Sequence, residues 1–208
     1  MPFDLWLAFV AASIALLLIP GPTVLLVLAY ALSQGKRVAL ACTAGVALGD
    51  LIAMTASLIG LGALILTSAT LFTLLKWLGA VYLVYLGIKL LRSAPDKGLD
   101  SVASADIDES GVFWHATAVT ALNPKSIAFF IAFVPQFVTA SQPVMQQFTI
   151  LIATFVSLAA INALAYALLA DKLRQTIERP SVISWLTRGG GVALITMGIM
   201  TAAFRRGS

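Results

Sequence analysis

The amino-acid sequence predicts an all-α integral membrane protein with six transmembrane helices, arranged as two inverted three-helix repeats with broken first and fourth helices. Three observations predict this fold: an apolar composition, six apolar segments of spanning length, and a matching proline break in each half. Of the 208 residues, 60% are hydrophobic and 11% are charged, with a mean hydropathy of +0.99. A soluble domain carries roughly 25% charged residues. The composition therefore indicates a chain that lies in a lipid bilayer.

Six segments have the roughly 20 mostly apolar residues that a helix needs to cross a bilayer. The predicted spans are 5–31, 38–66, 71–91, 112–137, 145–170 and 183–204. The gaps between them are short except for 92–111, which is polar and rich in Ser, Asp and Gly and is predicted to be a flexible cytoplasmic linker. This linker divides the chain into a first three-helix repeat at 1–91 and a second at 112–208.

The placement of lysine and arginine orients these spans. Basic residues concentrate in the joints that follow the first, third and fifth spans, and such joints stay preferentially in the cytoplasm. Both termini are then external, although Arg205 and Arg206 at the C-terminus oppose this orientation. Because each half has an odd number of spans, homologous halves would have to lie upside down relative to one another, as in many secondary transporters.

Each half carries a helix-breaking motif in its first span. The first half has a proline–glycine–proline run within LLLIPGPTVLLVL (16–28), and the second has asparagine–proline–lysine within TALNPKSIAFFIA (120–132). Proline cannot donate to the helix ladder and clashes with the preceding turn, and Asn before Pro is typical of a helix start. We therefore predict two half-helix starts inside the membrane. The predicted hinge residues are Pro20, Gly21, Pro22 and Pro124.

Three polar residues fall near the middle of their spans. At about 1.5 Å of rise per residue, Asp50, Lys125 and Asn162 lie roughly 14 to 20 Å from the polar or interfacial residues at their span ends. A charge at the bilayer centre costs about 2.5 to 3.5 kcal/mol even on the lenient insertion scale. Asp50 is therefore a candidate for proton or cation coupling, with a structural ion pair to Lys125 as the alternative.

The substrate site is predicted at the helix breaks, where backbone N–H groups and the positive end of the helix dipole favour an anion. Lys125 either meets a substrate carboxylate there or is paired with Asp50, and Asn162 either joins the site or only bonds between helices. The predicted substrate-binding residues are Gly21, Pro22, Thr23, Asn123, Pro124, Lys125 and Asn162.

Signatures of other function classes are missing from the sequence. It has no HExxH, no GxSxG and no GxxxxGK[ST] motif, and its one histidine and one cysteine poorly support a transition-metal cage. The net charge of +4 is better explained by topology than by nucleic-acid binding. We therefore expect no enzymatic activity, no cofactor, no bound metal and no nucleic-acid partner.

Four stretches together carry a resemblance to a known family: IPGPTVLLVL, GVALGD, VYLVYLGIKLLRS and NPKSIAFFIAFVPQFV. The chain resembles the lysine-exporter (LysE/RhtB) superfamily, particularly its homoserine/threonine-efflux branch. This resemblance implies a multi-pass exporter of amino acids or close derivatives in the bacterial inner membrane, coupled to inward proton flow. It does not imply one substrate, because related members export basic, neutral and hydroxylated amino acids and some handle metal ions. The family motif positions present here are Pro20, Gly21, Pro22, Gly49, Asp50, Asn123, Pro124 and Lys125.

The leading hypothesis is therefore a proton-coupled amino-acid exporter, and two alternatives stay open. A cation or metal-ion exporter would use the oxygens of Asp50, Asn123 and Asn162 as ligands. A non-transporting membrane assembly component would use its polar residues only to hold helices together. The expected partners are a small amino-acid substrate, protons and membrane lipid, and the glycine-rich helix faces permit a homodimer.

Overall fold

Most of the residues that the structure describes lie in helices, which are joined by short turns. The computed structural model describes residues 1–19, 21–34, 36–67, 69–92, 108–139, 142–177 and 180–203, and these ranges contain no β-strand. They form eight α-helices and a 3₁₀ turn, Val134–Phe137. The helices are α1 Phe3–Leu18, α2 Pro22–Gln34, α3 Lys36–Thr67, α4 Ala69–Arg92, α5 Glu109–Ala121, α6 Pro124–Ala132, α7 Val144–Ile177 and α8 Pro180–Ala203.

The two predicted helix breaks are confirmed. Helices α1 and α2 bend by 56° where they meet, and α5 bends by 44° relative to the segment that follows it. Asn123 is the N-cap of α6, because its side chain accepts a hydrogen bond from the Lys125 backbone N–H at 3.1 Å. Its carbonyl oxygen accepts from Ile127 N at 3.0 Å, just as the Gly21 carbonyl accepts from Leu25 N at 3.0 Å. The proposed hinge residue Pro20 lies outside the described residues.

Several helices are long and apolar enough to cross a membrane. Within the described ranges these are Arg37–Gly62, Thr73–Arg92 and Val144–Ala170, and the number of spans rises from three to five if each bent pair is one span. The helix over the predicted sixth span, Pro180–Ala203, is not among these five. The sixth crossing therefore stays a prediction.

The structure differs from the predicted boundaries at the end of the linker and at the end of the fourth span. Asp108 accepts a hydrogen bond from Gly111 N at 2.9 Å and caps α5, and an acidic residue suits the positive end of the helix dipole. The last residues of the predicted linker therefore belong to α5, while 93–107 lie outside the described residues. The fourth span ends as a 3₁₀ turn because Pro135 at its second position cannot donate to the α-helical ladder.

Helix α3 occupies the centre of the protein and packs most extensively on α5. Glycine permits this close approach, since a Cβ at Gly49 would come within 2.7 Å of both the Thr117 carbonyl oxygen and the Thr120 Cβ. A Cβ at Gly45 would likewise collide with the Phe113 carbonyl oxygen. Gly45 and Gly49 therefore allow α3 to pack closely on α5. The same close packing holds the residue after Gly49, Asp50, beside the break between α5 and α6.

A cluster of phenylalanine rings fixes α6 between α1 and α7. Phe130 of α6 meets Phe155 of α7 edge-on at 4.9 Å between ring centroids, and Phe129 lies 6.5 Å from Phe9 of α1. All four rings are fully buried. Aromatic pairs of this geometry stabilise a core by about 0.5 to 1.5 kcal/mol each beyond the area that they bury. The cluster therefore anchors the short α6 helix whose first turn carries Asn123 and Lys125.

Candidate functional site

A small cavity lies where the two helix breaks meet α3 and α7. Side chains and backbone from five helices surround it, and its polar lining consists of Gly21, Thr23, Asp50, Asn123, Lys125, Ser126, Asn162 and Tyr166. Apolar side chains from the same helices complete the wall. The cavity measures about 30 Å³, which is room for one or two water molecules rather than an amino acid. A solute of amino-acid size could therefore bind only after the surrounding helices or side chains move.

Lys125 connects the start of α6 with the end of α1. Its Nζ donates hydrogen bonds to the carbonyl oxygens of Leu16 at 3.2 Å and Ile19 at 3.1 Å. The Leu16 oxygen also accepts from the backbone N–H of Ile19, the C-cap of α1, at 3.3 Å. A cation is favoured here because it lies at the negative end of a helix. Gly21 makes room for this arrangement, since a Cβ there would lie 3.1 Å from Lys125 Nζ. The ammonium group thus sits between the two breaks.

Asn123 links the two half-helix starts directly. Its side-chain oxygen caps α6, while its Nδ2 donates to Thr23 Oγ1 in the first turn of α2 at 3.3 Å. Asn123 is buried, with 4% of its surface exposed. Because one amide serves both helices, their N-termini are held side by side at the cavity.

Asp50 contributes a buried carboxylate to the wall of the cavity. Its residue is 3% exposed and lines the cavity from α3. Among the described residues it accepts no hydrogen bond, and the ion pair that they form, Arg37–Glu109 at 3.2 Å, lies elsewhere. Asp50 and Lys125 therefore share the cavity without a salt bridge in this conformation.

Helix α7 supplies two polar groups one turn apart. Asn162 Nδ2 donates to the Leu17 carbonyl oxygen at 3.3 Å, which adds a third side-chain contact to the carbonyls at the end of α1. Tyr166 follows four residues later and lines the same cavity, because residues four apart share one face of a helix.

The structure brings together most of the predicted substrate-binding residues but not the prolines. Gly21, Thr23, Asn123, Lys125 and Asn162 all line the cavity, as does Asp50. Pro22 and Pro124 do not line it and are exposed. Their fixed backbone suits the first position of a helix, so the two prolines shape the breaks while their neighbours face the cavity.

Two of the polar residues that line the cavity, Ser126 and Tyr166, are not among those predicted from the sequence. Ser126 is buried with 6% of its surface exposed and directly follows Lys125. Tyr166 could have been predicted from the sequence, because it lies four residues after Asn162 and therefore on the same face of the helix. The backbone carbonyls of α1 could not have been found from residue types at all.

Two further contacts join α5 to the first half of the chain away from the cavity. The Tyr30 hydroxyl lies 2.9 Å from His115 Nδ1, and Arg37 pairs with Glu109 at the start of α5. His115 therefore bonds across a helix interface. The part of the chain that the structure describes contains no group of three or more His, Cys, Asp or Glu side chains arranged to hold a metal ion.

Comparison with known proteins identifies the family. Residues 14–203 match the family described as LysE type translocator. A homoserine/homoserine lactone efflux protein of Salmonella typhimurium is 33% identical over 205 residues, which cover 99% of each chain. A relative from Vibrio cholerae serotype O1, described as an uncharacterized membrane protein, is 32% identical over 203 residues, or 97% of this chain and 98% of that relative. No solved structure matches the chain. The resemblance carried by the four sequence stretches is confirmed, and the chain belongs to the LysE type translocator family.

Proposed function

We propose that this translocator is a secondary active exporter that moves amino acids or close derivatives out across the bacterial inner membrane in exchange for protons. One observation carries the proposal: a buried carboxylate, an ammonium and two helix N-termini converge on a single cavity inside an apolar helical protein. Ionisable groups within membrane helices are costly and typically serve transport pathways. Broken helices at a transporter site are likewise typical of secondary transporters.

The names of the relatives support an amino-acid-type solute. Two relatives that match over 99% of this chain at 33% identity are named homoserine/homoserine lactone efflux proteins. A solute of that kind carries an ammonium group and, in the open-chain form, a carboxylate. Both charges have a complementary group at the cavity.

We assign the solute carboxylate to Lys125 and the N-termini of α2 and α6. The backbone N–H groups of a helix start favour an anion, and Asn123 keeps both starts at the cavity wall. Asp50 would receive the solute ammonium and the coupling proton alternately. Because one carboxylate cannot hold both at once, proton entry and solute release would exclude one another, which is the requirement for exchange.

We further propose that the chain is built from two inverted three-helix repeats, with six spans in total. The first repeat comprises α1 to α4 and the second α5 to α8. The packing supports this division, because α3 lies against α7 and α4 against α8, and because α2 contacts α7 as α6 contacts α3. A two-fold exchange of the halves maps the α2–α7 contact onto the α6–α3 contact and leaves the α3–α7 and α4–α8 contacts unchanged. The much closer packing of α3 on α5 than of α1 on α7 distinguishes the two halves, as expected for a state that favours one side of the membrane.

The Asp50→Asn variant tests the coupling role. Asparagine keeps the size of the side chain but can neither carry the charge nor exchange a proton at pH 7. We expect proton-driven efflux from amino-acid-loaded proteoliposomes to fall to the level of empty liposomes, while the variant purifies and unfolds like the wild type. The panel of solutes should include homoserine together with basic and small neutral amino acids.

Asp4→Asn is the matched control, because Asp4 is exposed in the first turn of α1 and lies away from the cavity. It should leave efflux unchanged. Full proton-driven efflux in Asp50→Asn would refute the assigned role of this carboxylate. Failure of every solute in the wild type would refute amino-acid export itself.

A further inference from the structure

The end of α1 presents a set of carbonyl oxygens that side chains of the second half bind. The Leu16 and Ile19 oxygens accept from Lys125 Nζ at 3.2 and 3.1 Å, and the Leu17 oxygen accepts from Asn162 at 3.3 Å. Carbonyls at a helix C-terminus lack intrahelical partners and carry the negative end of the dipole. Side chains of α6 and α7 bind all three carbonyls, and the Leu16 oxygen accepts in addition from the Ile19 backbone N–H at 3.3 Å.

A second observation at the same place is the Asp50 carboxylate. It is 3% exposed, lines the cavity shared with these groups, and accepts no hydrogen bond from the described residues. Carbonyl and carboxylate oxygens are the ligands that alkali cations and ammonium groups take in proteins, and unwound carbonyls at half-helix ends bind coupling cations in secondary transporters. A buried carboxylate and a set of helix-end carbonyls therefore meet at one small cavity, and the only positive charge that the described residues place there is Lys125.

We propose that the carbonyl oxygens at the end of α1 form a binding site for a small monovalent cation, that the Asp50 carboxylate in the same cavity favours its positive charge, and that the Lys125 ammonium is its tethered resident. The site goes beyond the exporter function proposed above, because it does not depend on which solute is carried. Because α6 supplies the cation as a side chain, the protein needs no free sodium or potassium to balance the negative end of the α1 dipole. When Lys125 withdraws, the site takes another monovalent cation, either a free ion or the ammonium of a bound solute.

This arrangement would couple solute binding to the position of α1. A zwitterion brings a carboxylate that can draw Lys125 away from the carbonyls and an ammonium that can replace it. A lysine that only caps the helix end would behave differently. In that case, removing its charge would leave no site that selects one cation over another.

The Lys125→Met variant tests the site. Methionine retains the unbranched stem of the lysine side chain but lacks the ammonium, so it leaves a vacancy about the size of that group. The thermal unfolding midpoint of the purified, detergent-solubilised protein is measured in ammonium, sodium or tetramethylammonium chloride at equal ionic strength. Tetramethylammonium carries the charge but is larger and has no N–H group to donate.

We expect ammonium to raise the midpoint of the variant, since a ligand that binds only the folded state stabilises it. Above the dissociation constant, each tenfold increase in concentration should add about 3 to 5 °C. Tetramethylammonium should give no such increase. The response to sodium shows what the site recognises. If sodium also raises the midpoint, the site binds alkali cations; if only ammonium does, the site requires a ligand that donates N–H hydrogen bonds.

Two further variants serve as controls. Lys125→Arg keeps a tethered cation and should show no selective response, and adding Asp50→Asn to Lys125→Met should weaken the response by removing the carboxylate. Equal midpoints of Lys125→Met in ammonium and tetramethylammonium would overturn the proposal. If Lys125→Met does not fold, the same midpoints are measured on the wild type. If sodium or ammonium raises the wild-type midpoint and tetramethylammonium does not, Lys125 does not fill the site and the proposal is wrong.

Discussion

Replacement of Gly49 by alanine tests whether close packing of α3 on α5 positions the site. The added Cβ would lie 2.7 Å from the Thr117 carbonyl oxygen, 2.7 Å from the Thr120 Cβ and 3.1 Å from the Ala121 backbone nitrogen. Two of these three atoms belong to the backbone and cannot move by changing a rotamer. The two helices must therefore separate locally, next to Asp50 and to the end of α5.

Gly60→Ala is a matched control in the same helix, because a Cβ there would meet no atom within 4 Å. Both substitutions gain about 0.5 to 1 kcal/mol from the higher helix propensity of alanine. The difference between them isolates the packing term, which costs about 1 to 3 kcal/mol for an overpacked interior. At about 2 to 4 °C per kcal/mol for a chain of this length, Gly49→Ala should unfold about 2 to 12 °C below Gly60→Ala.

The assay is thermal unfolding of both variants in the same detergent, followed by efflux from proteoliposomes at a temperature where both remain folded. We expect Gly49→Ala to lose efflux as well as stability, because the displaced α5 leads directly into the Asn123 cap. An unfolding midpoint equal to or above that of Gly60→Ala would refute the packing argument.

Three further predictions concern side-chain hydrogen bonds. Asn123→Ala removes the cap of α6 and its bond to α2, and should lower the free energy of unfolding by about 1 to 3 kcal/mol, measured as a lower thermal midpoint; an unchanged midpoint would contradict the capping role. The pKa of the Asp108 carboxyl is held below its ordinary value, chiefly by the hydrogen bond from the Gly111 backbone N–H. Because the folded-state pKa is the lower one, the stabilisation is complete above the unfolded pKa and is lost as the pH falls through the folded value. The difference in midpoint between the wild type and Asp108→Ala should therefore shrink below about pH 4, and a constant difference from pH 3 to 7 would argue against it. Tyr30→Phe keeps the ring but removes the hydroxyl 2.9 Å from His115 Nδ1, and should cost about 0.5 to 1.5 kcal/mol; in a His115→Ala background the same change should cost nothing more, as a double-mutant cycle would reveal.

Much of the helical organisation could be predicted from local sequence. The asparagine–proline pair predicts the start of α6, because the capping amide and the fixed proline backbone act within a single turn. The proline–glycine–proline run predicts the break before α2 for the same local reason. The close packing of α3 depends on its glycines, since only glycine admits a neighbouring backbone at that distance. Their partner, α5, was not predictable, because the partner of a helix depends on contacts distant in the chain.

The polar and charged residues of the candidate site could be predicted from the sequence, but the groups that they contact could not. Mid-span polar residues stand out because burial in lipid penalises them, which is why Asp50, Lys125 and Asn162 were found. The sequence left two partners for Lys125 open, a substrate carboxylate and Asp50. The structure instead has its ammonium on the carbonyl oxygens of α1. Every residue has a carbonyl group, so no residue type marks the ones that a helix break leaves unpaired.

The sequence by itself therefore determined that the chain lies in a membrane and that its helices break at two matching places. It also identified the mid-span polar side chains whose burial in lipid costs enough free energy to mark a candidate site. These properties follow from composition, from proline geometry and from the energetics of burial, all of which are local. Only the tertiary structure decided that both breaks, α3 and α7 enclose one cavity. It also decided that Lys125 reaches across to the end of α1 rather than forming a salt bridge with Asp50. Those relations depend on how helices far apart in the chain pack against one another, and packing is set by the whole surface of each helix rather than by any single motif.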